Sequence, residues 1–402
     1  MNQASSTPRA LRCNIAIIGC RNAGKSSLLN AIVKENTAIV SDTAGTTTDA
    51  VSKPYELLPL GAVTFYDTAG LDDEGQIGKL RVNATKKILL RADLAVLVCQ
   101  TKGLNSTDKE TVALLQSLQI PFIIAFNQAD VCTPKEDDLA FCAQNNIKFV
   151  SVSALKNDNI EDLKQLIVEI APQEFKDEQK LAGDLINPKD TVVMVTPIDL
   201  SAPKGRLILP QVQILREILD SNAAAIALKE SELQQVLSNQ KEKPALVITD
   251  SQVVKKVAAI VPPEIPLTAF SILFARAKGD LKTMVEGARK IDNLKDGAKI
   301  LIAEACSHHV AGDDIGKVKI PQWLQKYCGK NLVFSFCQGN DFPDNLEEYD
   351  LVIHCGACML NRIEMKRRIN ECVRRRVAIT NYGVAIAKTQ GVLERVVKPF
   401  NL

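Results

Sequence analysis

The feature that most constrains the fold of this chain is an eight-residue loop motif near its start. Residues 19–26 read Gly-Cys-Arg-Asn-Ala-Gly-Lys-Ser and match the pattern G-x-x-x-x-G-K-S/T in full. The motif follows a short apolar run, Asn14–Ile18, and precedes a helical stretch, Ser27–Val33, which is the strand–loop–helix setting that the pattern requires. Its glycines let backbone amides curl around phosphate oxygens, and the helix N-terminus adds partial positive charge. The motif therefore predicts a nucleotide-binding α/β domain.

Individual residues of this loop have distinct predicted roles. We expect Lys25 to reach the β- and γ-phosphates and the Ser26 hydroxyl to ligate Mg²⁺. The residues expected to surround the nucleotide phosphates are Gly19, Asn22, Ala23, Gly24, Lys25, Ser26 and Ser27.

Three further short motifs follow strand-like runs later in the chain. Asp67-Thr68-Ala69-Gly70 places Asp67 where it could hold Mg²⁺ through water and Gly70 where its amide could meet a γ-phosphate. In Asn127-Gln128-Ala129-Asp130, the Asp130 carboxylate could accept both donors on the edge of guanine, which adenine does not offer. Ser153-Ala154 could offer an amide to the guanine carbonyl. Four motifs in this order, each at a strand end, predict a GTP-binding domain.

The pattern along the chain predicts an α/β protein of three domains. Residues 14–171 alternate apolar strands with amphipathic helices, which is typical of a parallel sheet covered on both faces. We place a P-loop G domain with a parallel-rich sheet at residues 1–172 and a polar linker at 173–190. Two smaller α/β domains follow, at 191–263 and 264–402. The length of 402 residues fits two or three domains.

Composition excludes several classes of protein. A net charge of +2 and an aromatic content of 4% argue against a nucleic-acid partner. The polar N-terminus does not resemble a signal peptide, and no stretch approaches the roughly 18 apolar residues of a membrane span, so we expect a cytoplasmic protein without membrane association. The 11 cysteines are odd in number and scattered, which does not fit a disulfide framework.

All three histidines lie beside cysteines in the last third of the chain. The two segments read Cys306-Ser307-His308-His309 and His354-Cys355-Gly356-Ala357-Cys358, and each follows a strand-like run. Ligands gather outside the carboxyl ends of strands in open α/β sheets, so the two segments could converge there. They could be core residues, a zinc site of three cysteines and one histidine, or an iron–sulfur cluster held by three thiolates. Spacing alone does not choose between zinc and iron.

Residues 14–171 resemble the G domains of the tRNA-modification and ribosome-assembly GTPases. The stretch Ala44–Asp49 resembles their switch I, which implies Thr47 as the second Mg²⁺ ligand. In that branch an asparagine at the Asn22 position and the region of Thr46 are associated with K⁺. Leu71 stands where many G proteins place a water-orienting glutamine, so the resemblance implies slow, K⁺-stimulated hydrolysis. The residues implied in catalysis are Asn22, Lys25, Thr47, Asp67 and Gly70.

One further departure concerns guanine recognition. Gln128 replaces the lysine that usually packs on the base in this class. We expect selectivity for guanine to survive through Asp130, with weaker binding.

A G domain combined with C-x-H…H-C-x-x-C resembles the HydF family of [FeFe]-hydrogenase maturation GTPases over nearly the whole chain. The resemblance implies a scaffold that holds a [4Fe–4S] cluster on Cys306, Cys355 and Cys358, with His308 or His354 as a candidate fourth ligand. It also implies that radical S-adenosylmethionine maturases supply the two-iron precursor of the hydrogenase active site, and that apo-[FeFe]-hydrogenase receives it. A homodimer formed through the middle segment is implied as well.

A rival interpretation is a zinc-containing regulatory GTPase that acts in RNA modification or ribosome assembly. The near-neutral charge counts against it. The basic stretch at residues 366–376 has two interpretations, a solvated helix face or a surface that attracts an acidic partner or an anionic metal precursor.

Overall fold

A computed structural model describes residues 12–34, 51–68, 88–89, 91–176, 180–197, 207–305, 314–339, 342–343, 345–356 and 360–402. The chain forms two compact units, Met1–Glu178 and Gln179–Leu402. Both are built from parallel-rich sheets and helices, which confirms the predicted α/β class.

The first unit contains a six-stranded sheet. Its strands are β1 (Cys13–Ile18), β2 (Val51–Leu57), β3 (Gly61–Asp67), β4 (Leu94–Gln100), β5 (Phe122–Asn127) and β6 (Lys148–Val152). Its described helices are α1 (Lys25–Lys34), α2 (Ser106–Ser117), α3 (Glu136–Gln144), α4 (Ile160–Ile170) and α5 (Gln173–Lys176). The strand order is β2-β3-β1-β4-β5-β6, and only β2 runs antiparallel to its neighbour.

The central strand β1 shows why this sheet is covered on both faces. All six of its residues are buried. Because successive side chains point to opposite faces, Ile15 and Ile17 enter one core, whereas Ala16 and Ile18 enter the other. The carboxyl ends of the parallel strands then meet at one edge, where ligands bind in sheets of this kind.

The second unit contains two four-stranded sheets. The first sheet is formed by β7 (Thr191–Val195), β8 (Ala224–Leu228), β9 (Leu246–Thr249) and β10 (Leu267–Ala269). The second is formed by β11 (Lys299–Glu304), β12 (Val333–Gln338), β13 (Leu351–His354) and β14 (Ala378–Asn381). Their orders are β10-β9-β7-β8 and β12-β11-β13-β14, and every neighbouring pair is parallel.

Helices connect these strands. They are α6 (Leu209–Asp220), α7 (Leu233–Asn239), α8 (Val254–Ile260), α9 (Phe270–Lys278), α10 (Leu281–Arg289), α11 (Ile320–Cys328), α12 (Arg362–Arg374), α13 (Tyr382–Thr389) and α14 (Leu393–Val397). A π-helical turn, Ile315–Lys319, precedes α11. One hydrophobic core contains residues of both sheets, for example Val193 and Ile300.

The predicted boundary after residue 263 falls within the first of these sheets. Strand β10 lies beyond that boundary and pairs with β9, so this sheet extends to Ala269. In the described part of the chain, no helix has the length and apolar character needed to cross a membrane.

Candidate functional site

The phosphate-binding loop lies between β1 and α1, and two of its positions admit only glycine. Gly19 has a φ of +147°, and a Cβ there would lie 2.2 Å from the Val98 carbonyl oxygen. Gly24 has a φ of +87°, and a Cβ there would lie 2.2 Å from Asn127 Nδ2. Backbone conformation and close packing thus both require glycine, which keeps the loop tight against β4 and β5.

Lys25 is buried inside this loop. Its Nζ donates hydrogen bonds to the carbonyl oxygens of Gly19 at 2.9 Å and Cys20 at 2.8 Å. The ammonium group therefore lies against the loop that we expect to surround the phosphates.

Ser26 and Asp67, the two described candidates for the Mg²⁺ site, are in direct contact. Ser26 Oγ donates a 2.6 Å hydrogen bond to Asp67 Oδ2. Asp67 Oδ1 is buried and accepts no hydrogen bond from the described residues. A hydroxyl and a carboxylate with an unsatisfied oxygen are ligands that suit hydrated Mg²⁺, so these residues fit the predicted ion.

Asn127 joins three of the sequence motifs. Its Nδ2 donates to the Ala23 carbonyl at 3.0 Å, and its Oδ1 accepts from the Ala154 amide at 3.1 Å. The Ala154 amide, which we expected to meet guanine, thus bonds to Asn127 in this structure. This clamp was not predicted from the sequence, because it depends on the loops after β1, β5 and β6 meeting at one sheet edge.

Asp130 is held as an ionised acceptor next to this clamp. Ser153 Oγ donates a 2.7 Å hydrogen bond to Asp130 Oδ1. This bond lowers the pKa of the Asp130 carboxyl, as does the nearby charge of Lys156. A carboxylate that stays ionised is the group required to accept the two donors of guanine. Gln128 adopts the left-handed conformation, with a φ of 70°.

The remaining residues of the predicted GTP site are only partly described. Asn22 has a φ of 61°, and its carbonyl accepts a 3.1 Å hydrogen bond from Gln100 Nε2. Thr46, Thr47 and Gly70 lie outside the described residues. Their roles in binding Mg²⁺, K⁺ and the γ-phosphate stay predictions.

Cys20, the second residue of the phosphate-binding loop, contacts the start of α2. Its sulfur lies 3.5 Å from Asp108 Oδ1 and 3.4 Å from Asn105 Nδ2. Asn105 and Asp108 form a reciprocal capping box at that helix. The pattern Asn-x-x-Asp before an amphipathic helix is the signal that predicts the cap, although not its contact with the phosphate loop.

The second candidate site lies at the carboxyl ends of β11 and β13. These strands are hydrogen-bonded neighbours, with Ala303 opposite His354. In the sequence, Cys306 follows β11 by two residues and Cys355 follows β13 directly. Cys306, His308 and Cys358 lie outside the described residues.

Cys355 accepts a hydrogen bond from the backbone at this edge. The Ala305 amide donates to Cys355 Sγ at 3.1 Å, and the Cys355 amide donates to the Ala303 carbonyl at 2.8 Å. Amide–sulfur bonds stabilise thiolates and are typical of cluster ligands, so the described part of the motif fits an iron–sulfur centre. Among the described residues, no group of three or more His, Cys, Asp or Glu side chains is arranged so that it could hold a metal ion.

His354 is fully buried, and both of its ring nitrogens are engaged. Nδ1 lies 2.9 Å from the Cys355 carbonyl oxygen, and Nε2 lies 3.0 Å from Arg368 Nη1. Burial, together with the charge of Arg368, lowers the pKa of His354 to about 4. The ring is therefore neutral, with Nδ1–H donating to the carbonyl and Nε2 accepting from Arg368. Ligation of iron by His354 stays a prediction and would require loss of one of these bonds.

The basic stretch 366–376 is partly internal and partly ion-paired. Arg368 is buried, donates to the Gly339 carbonyl at 2.9 Å and lies over the ring of Phe342. Arg374 and Arg375 form ion pairs with Glu371. Much of the charge that the sequence places here is therefore compensated within the fold.

Comparisons with known proteins match three consecutive parts of the chain. Residues 14–128 match the family model "50S ribosome-binding GTPase". Residues 181–279 match "Hydrogen maturase F dimerization domain", and residues 282–399 match "Hydrogen maturase F tetramerization domain". The two hydrogen maturase F models together span more than half of the chain.

Two curated relatives are similar to this chain over less than half of its length. GTPase Der of Campylobacter concisus is 39% identical over 167 residues, which are 39% of this chain and 36% of that protein. The tRNA modification GTPase MnmE of Alkaliphilus metalliredigens is 30% identical over 190 residues, covering 46% of this chain and 40% of that protein. The chain thus spans about a third of the length of the curated relatives it matches first.

A crystal structure of Aquifex aeolicus Era aligns at 21% identity and a TM-score of 0.34, covering 54% of this chain and 92% of that one.

The family assignment rests on the three family models, which follow one another along the chain in an order that agrees with the motifs described above. The chain belongs to the hydrogen maturase F family and carries an N-terminal GTPase domain.

Proposed function

We propose that this chain is a GTP-hydrolysing scaffold that carries the two-iron precursor of the [FeFe]-hydrogenase active site. It would accept the precursor from radical S-adenosylmethionine maturases and deliver it to apo-[FeFe]-hydrogenase in a reducing cytoplasm. One observation carries the proposal: β11 and β13 are adjacent parallel strands in the hydrogen maturase F part of the chain, and in the sequence the two Cys–His segments come where these strands end.

The nucleotide proposed for the first unit is GTP. The ionised Asp130 carboxylate would accept the two donors of guanine. The hydrogen bond from Asn127 to the Ala23 carbonyl would hold the loop that carries Asp130 against the phosphate-binding loop. Mg²⁺ would bind Ser26 directly, Thr47 as a second ligand, and Asp67 through water. Lys25 and Gly70 would contact the γ-phosphate.

Hydrolysis is proposed to be slow and faster in K⁺ than in Na⁺. The Leu71 side chain has no polar group that could orient the attacking water. A positive charge near the phosphates must therefore stabilise the transition state instead. K⁺ held by Asn22 and the region of Thr46 would supply it. Equal turnover in potassium and sodium chloride would contradict this part of the proposal.

The cluster would be held by Cys306, Cys355 and Cys358. Three protein thiolates leave one iron of a [4Fe–4S] cluster with an exchangeable ligand, which suits transfer rather than a purely structural role. The Ala305 amide bond to Cys355 Sγ supports a thiolate at that position. His308 and His354 are the candidate fourth ligands.

Self-association through the middle segment is supported by strand β8. It lies at the edge of its sheet, carries no charged residue, and exposes Ala224 and Ala227. An uncharged edge strand offers unpaired backbone groups to another strand. We propose that β8 pairs with its counterpart in a homodimer.

The function is tested by transfer of the precursor. The anaerobically reconstituted chain, loaded with the precursor by the maturases, is mixed with apo-hydrogenase, and hydrogen evolution is measured. We expect activation by the wild-type chain and none by a Cys355→Ala variant, with Cys328→Ala as the matched control. Activation that survives loss of Cys355, or no activation by any variant, would contradict the scaffold role.

A further inference from the structure

A cavity of about 480 Å³ opens on the surface of the second unit, between the turn that joins α9 to α10 and the start of α12. Its volume falls within the range of roughly 300–1,000 Å³ that is typical of small-molecule sites. Basic and apolar side chains line it together: Arg276, Lys282, Arg362, Lys366, Leu281 and Phe400. None of these residues belongs to the nucleotide site or to the two Cys–His segments.

The walls of this cavity come from both matched parts of the second unit. Residues up to Gly279 belong to the part that matches the dimerization model, and residues from Lys282 onward belong to the part that matches the tetramerization model. Helices α9 and α12 pack on each other across this boundary. A Cβ on Gly279 would lie 3.0 Å from Ile369 Cδ1, so the turn lies directly against α12. Ligand sites occur preferentially at boundaries between domains.

Arg362, the first residue of α12, is the group that most clearly needs a ligand. Its side chain lines the cavity, and its Nε is buried and donates no hydrogen bond to any described residue. A guanidinium group stays protonated in proteins, so its N–H groups can only donate. A buried donor without an acceptor is costly and uncommon in folded proteins. The position of Arg362 therefore indicates an acceptor that the described part of the chain does not supply.

Two lysines add positive charge to the lining. Lys366 lies four residues after Arg362 on α12, so both side chains project from the same face of the helix. Lys282 lies in the first turn of α10 and is exposed. Cations from two helices thus line one cavity, and their combined charge would attract an anion.

Nearby carboxylates compensate only part of this positive charge. Asp184 forms an ion pair with both terminal nitrogens of Arg276, which neutralises that arginine. Asp280 also lines the cavity, but its carboxylate caps α10, where it accepts from the Thr283 amide at 3.2 Å and from the Thr283 hydroxyl at 2.7 Å. The three cationic side chains of α10 and α12 therefore share the cavity with a single carboxylate side chain among its described lining residues.

The apolar lining selects among anions. The Arg276 guanidinium lies over the ring of Phe400, at 5.3 Å from its centre, and Leu281 is buried. These side chains offer no hydrogen bond to the hydration shell of a simple ion, whereas they can pack against a carbon skeleton. A ligand with both an anionic group and an apolar part would match the two kinds of lining.

We propose that this cavity binds a small organic anion whose carboxylate or phosphate group pairs with Arg362 and Lys366. The planar guanidinium can donate two parallel hydrogen bonds to either group, and the lysine adds a point charge. The apolar part of the ligand packs against Phe400 and Leu281. The proposal uses no residue of the nucleotide or cluster sites, so it does not rest on the proposed function.

Isothermal titration calorimetry of the full chain tests this site with two probes, succinate and glycerol 3-phosphate. The first unit is saturated beforehand with GDP and Mg²⁺, so that the phosphate-binding loop is occupied, and sodium chloride keeps the ionic strength constant. We expect saturable binding of at least one probe, with one site per chain. The probe that binds more tightly identifies whether the site prefers a carboxylate or a phosphate group.

Variants of the two α12 residues test whether binding occurs in this cavity. Arg362→Gln/Lys366→Gln should raise the Kd for the probe by about tenfold or more, because charge-assisted hydrogen bonds are lost. Lys326→Gln/Lys330→Gln removes the same charge from exposed lysines that do not line the cavity, and it should keep the wild-type Kd. Arg362→Lys, which keeps the charge but not the paired donors, should bind with an intermediate Kd.

Three outcomes would overturn the proposal. The first is a wild-type chain that binds neither probe, and the second is equal affinity of the wild type and Arg362→Gln/Lys366→Gln. The third is an equal loss of affinity in Lys326→Gln/Lys330→Gln, which would show a general effect of charge. Circular dichroism establishes that each variant is folded, and Arg362→Lys serves as the milder variant if the double variant does not fold.

Discussion

At the scale of single residues, Asp130 determines which base the first unit selects. Asp130→Ala should lower the affinity for GTP by about a hundredfold, because two charge-assisted hydrogen bonds to guanine would be lost. Weak binding of ATP should not change. Fluorescent-nucleotide titration measures both, with Asp137→Ala at the start of α3 as the control. An unchanged preference for guanine would contradict the role of Asp130.

The same carboxylate predicts how GTP binding depends on pH. The Ser153 hydrogen bond lowers the pKa of Asp130, so the ionised form persists until the pH falls below the usual range of aspartate. Ser153→Ala should raise this pKa, and the variant should lose affinity for GDP at a higher pH than the wild type as the solution is acidified. Binding of GDP to both proteins is measured at a series of pH values from neutral to acid. Loss of affinity at the same pH in both would contradict the effect of Ser153 on the pKa of Asp130.

Arg368 supports the described residues at the carboxyl ends of β11 and β13. It bonds to His354 and to the Gly339 carbonyl while buried. Arg368→Gln should destabilise the cluster-free second unit by about 2–4 kcal/mol, because buried acceptors are left without a partner. Arg374→Gln, which removes an exposed ion pair, should have a much smaller effect on the unfolding free energy, because solvent screens such pairs. Denaturant unfolding measures the unfolding free energy of both variants, and equal losses would contradict the supporting role of Arg368.

At the scale of secondary-structure elements, helix α10 packs closely on strand β14 within the second unit. Gly287→Ala would place a methyl group 1.9 Å from the Ile379 carbonyl, which cannot be accommodated without separating helix and strand. We expect a loss of about 2–4 kcal/mol in unfolding free energy. Gly356→Ala, where a Cβ would meet no atom of the described residues within 4 Å, is the matched control. Wild-type stability of Gly287→Ala would contradict the packing.

Elements and motifs were predictable to different degrees. The strand–loop–helix setting of Gly19–Ser26 could be recognised because local sequence sets both the loop and the helix start. The Asn127 clamp could not, since its two partners lie on other loops that meet only after the sheet forms.

At the scale of the whole molecule, the two compact units should respond to different ligands. Ligands stabilise the folded part that binds them, so GDP with Mg²⁺ should raise the unfolding temperature of the first unit only. Anaerobic cluster reconstitution should raise that of the second unit only. Differential scanning calorimetry of the full chain resolves the two transitions. A single transition shifted by both ligands would show instead that the units unfold together.

The central claim, a GTPase that carries an iron–sulfur cluster, is tested most directly by metal analysis of the anaerobically reconstituted chain. The account predicts about four irons and four sulfides per chain and a reducible cluster in EPR. It also predicts that Cys306→Ala, Cys355→Ala and Cys358→Ala each lose the cluster while GTP binding is retained. One zinc per chain, with neither iron nor sulfide, would contradict the account and favour a zinc-containing regulatory GTPase.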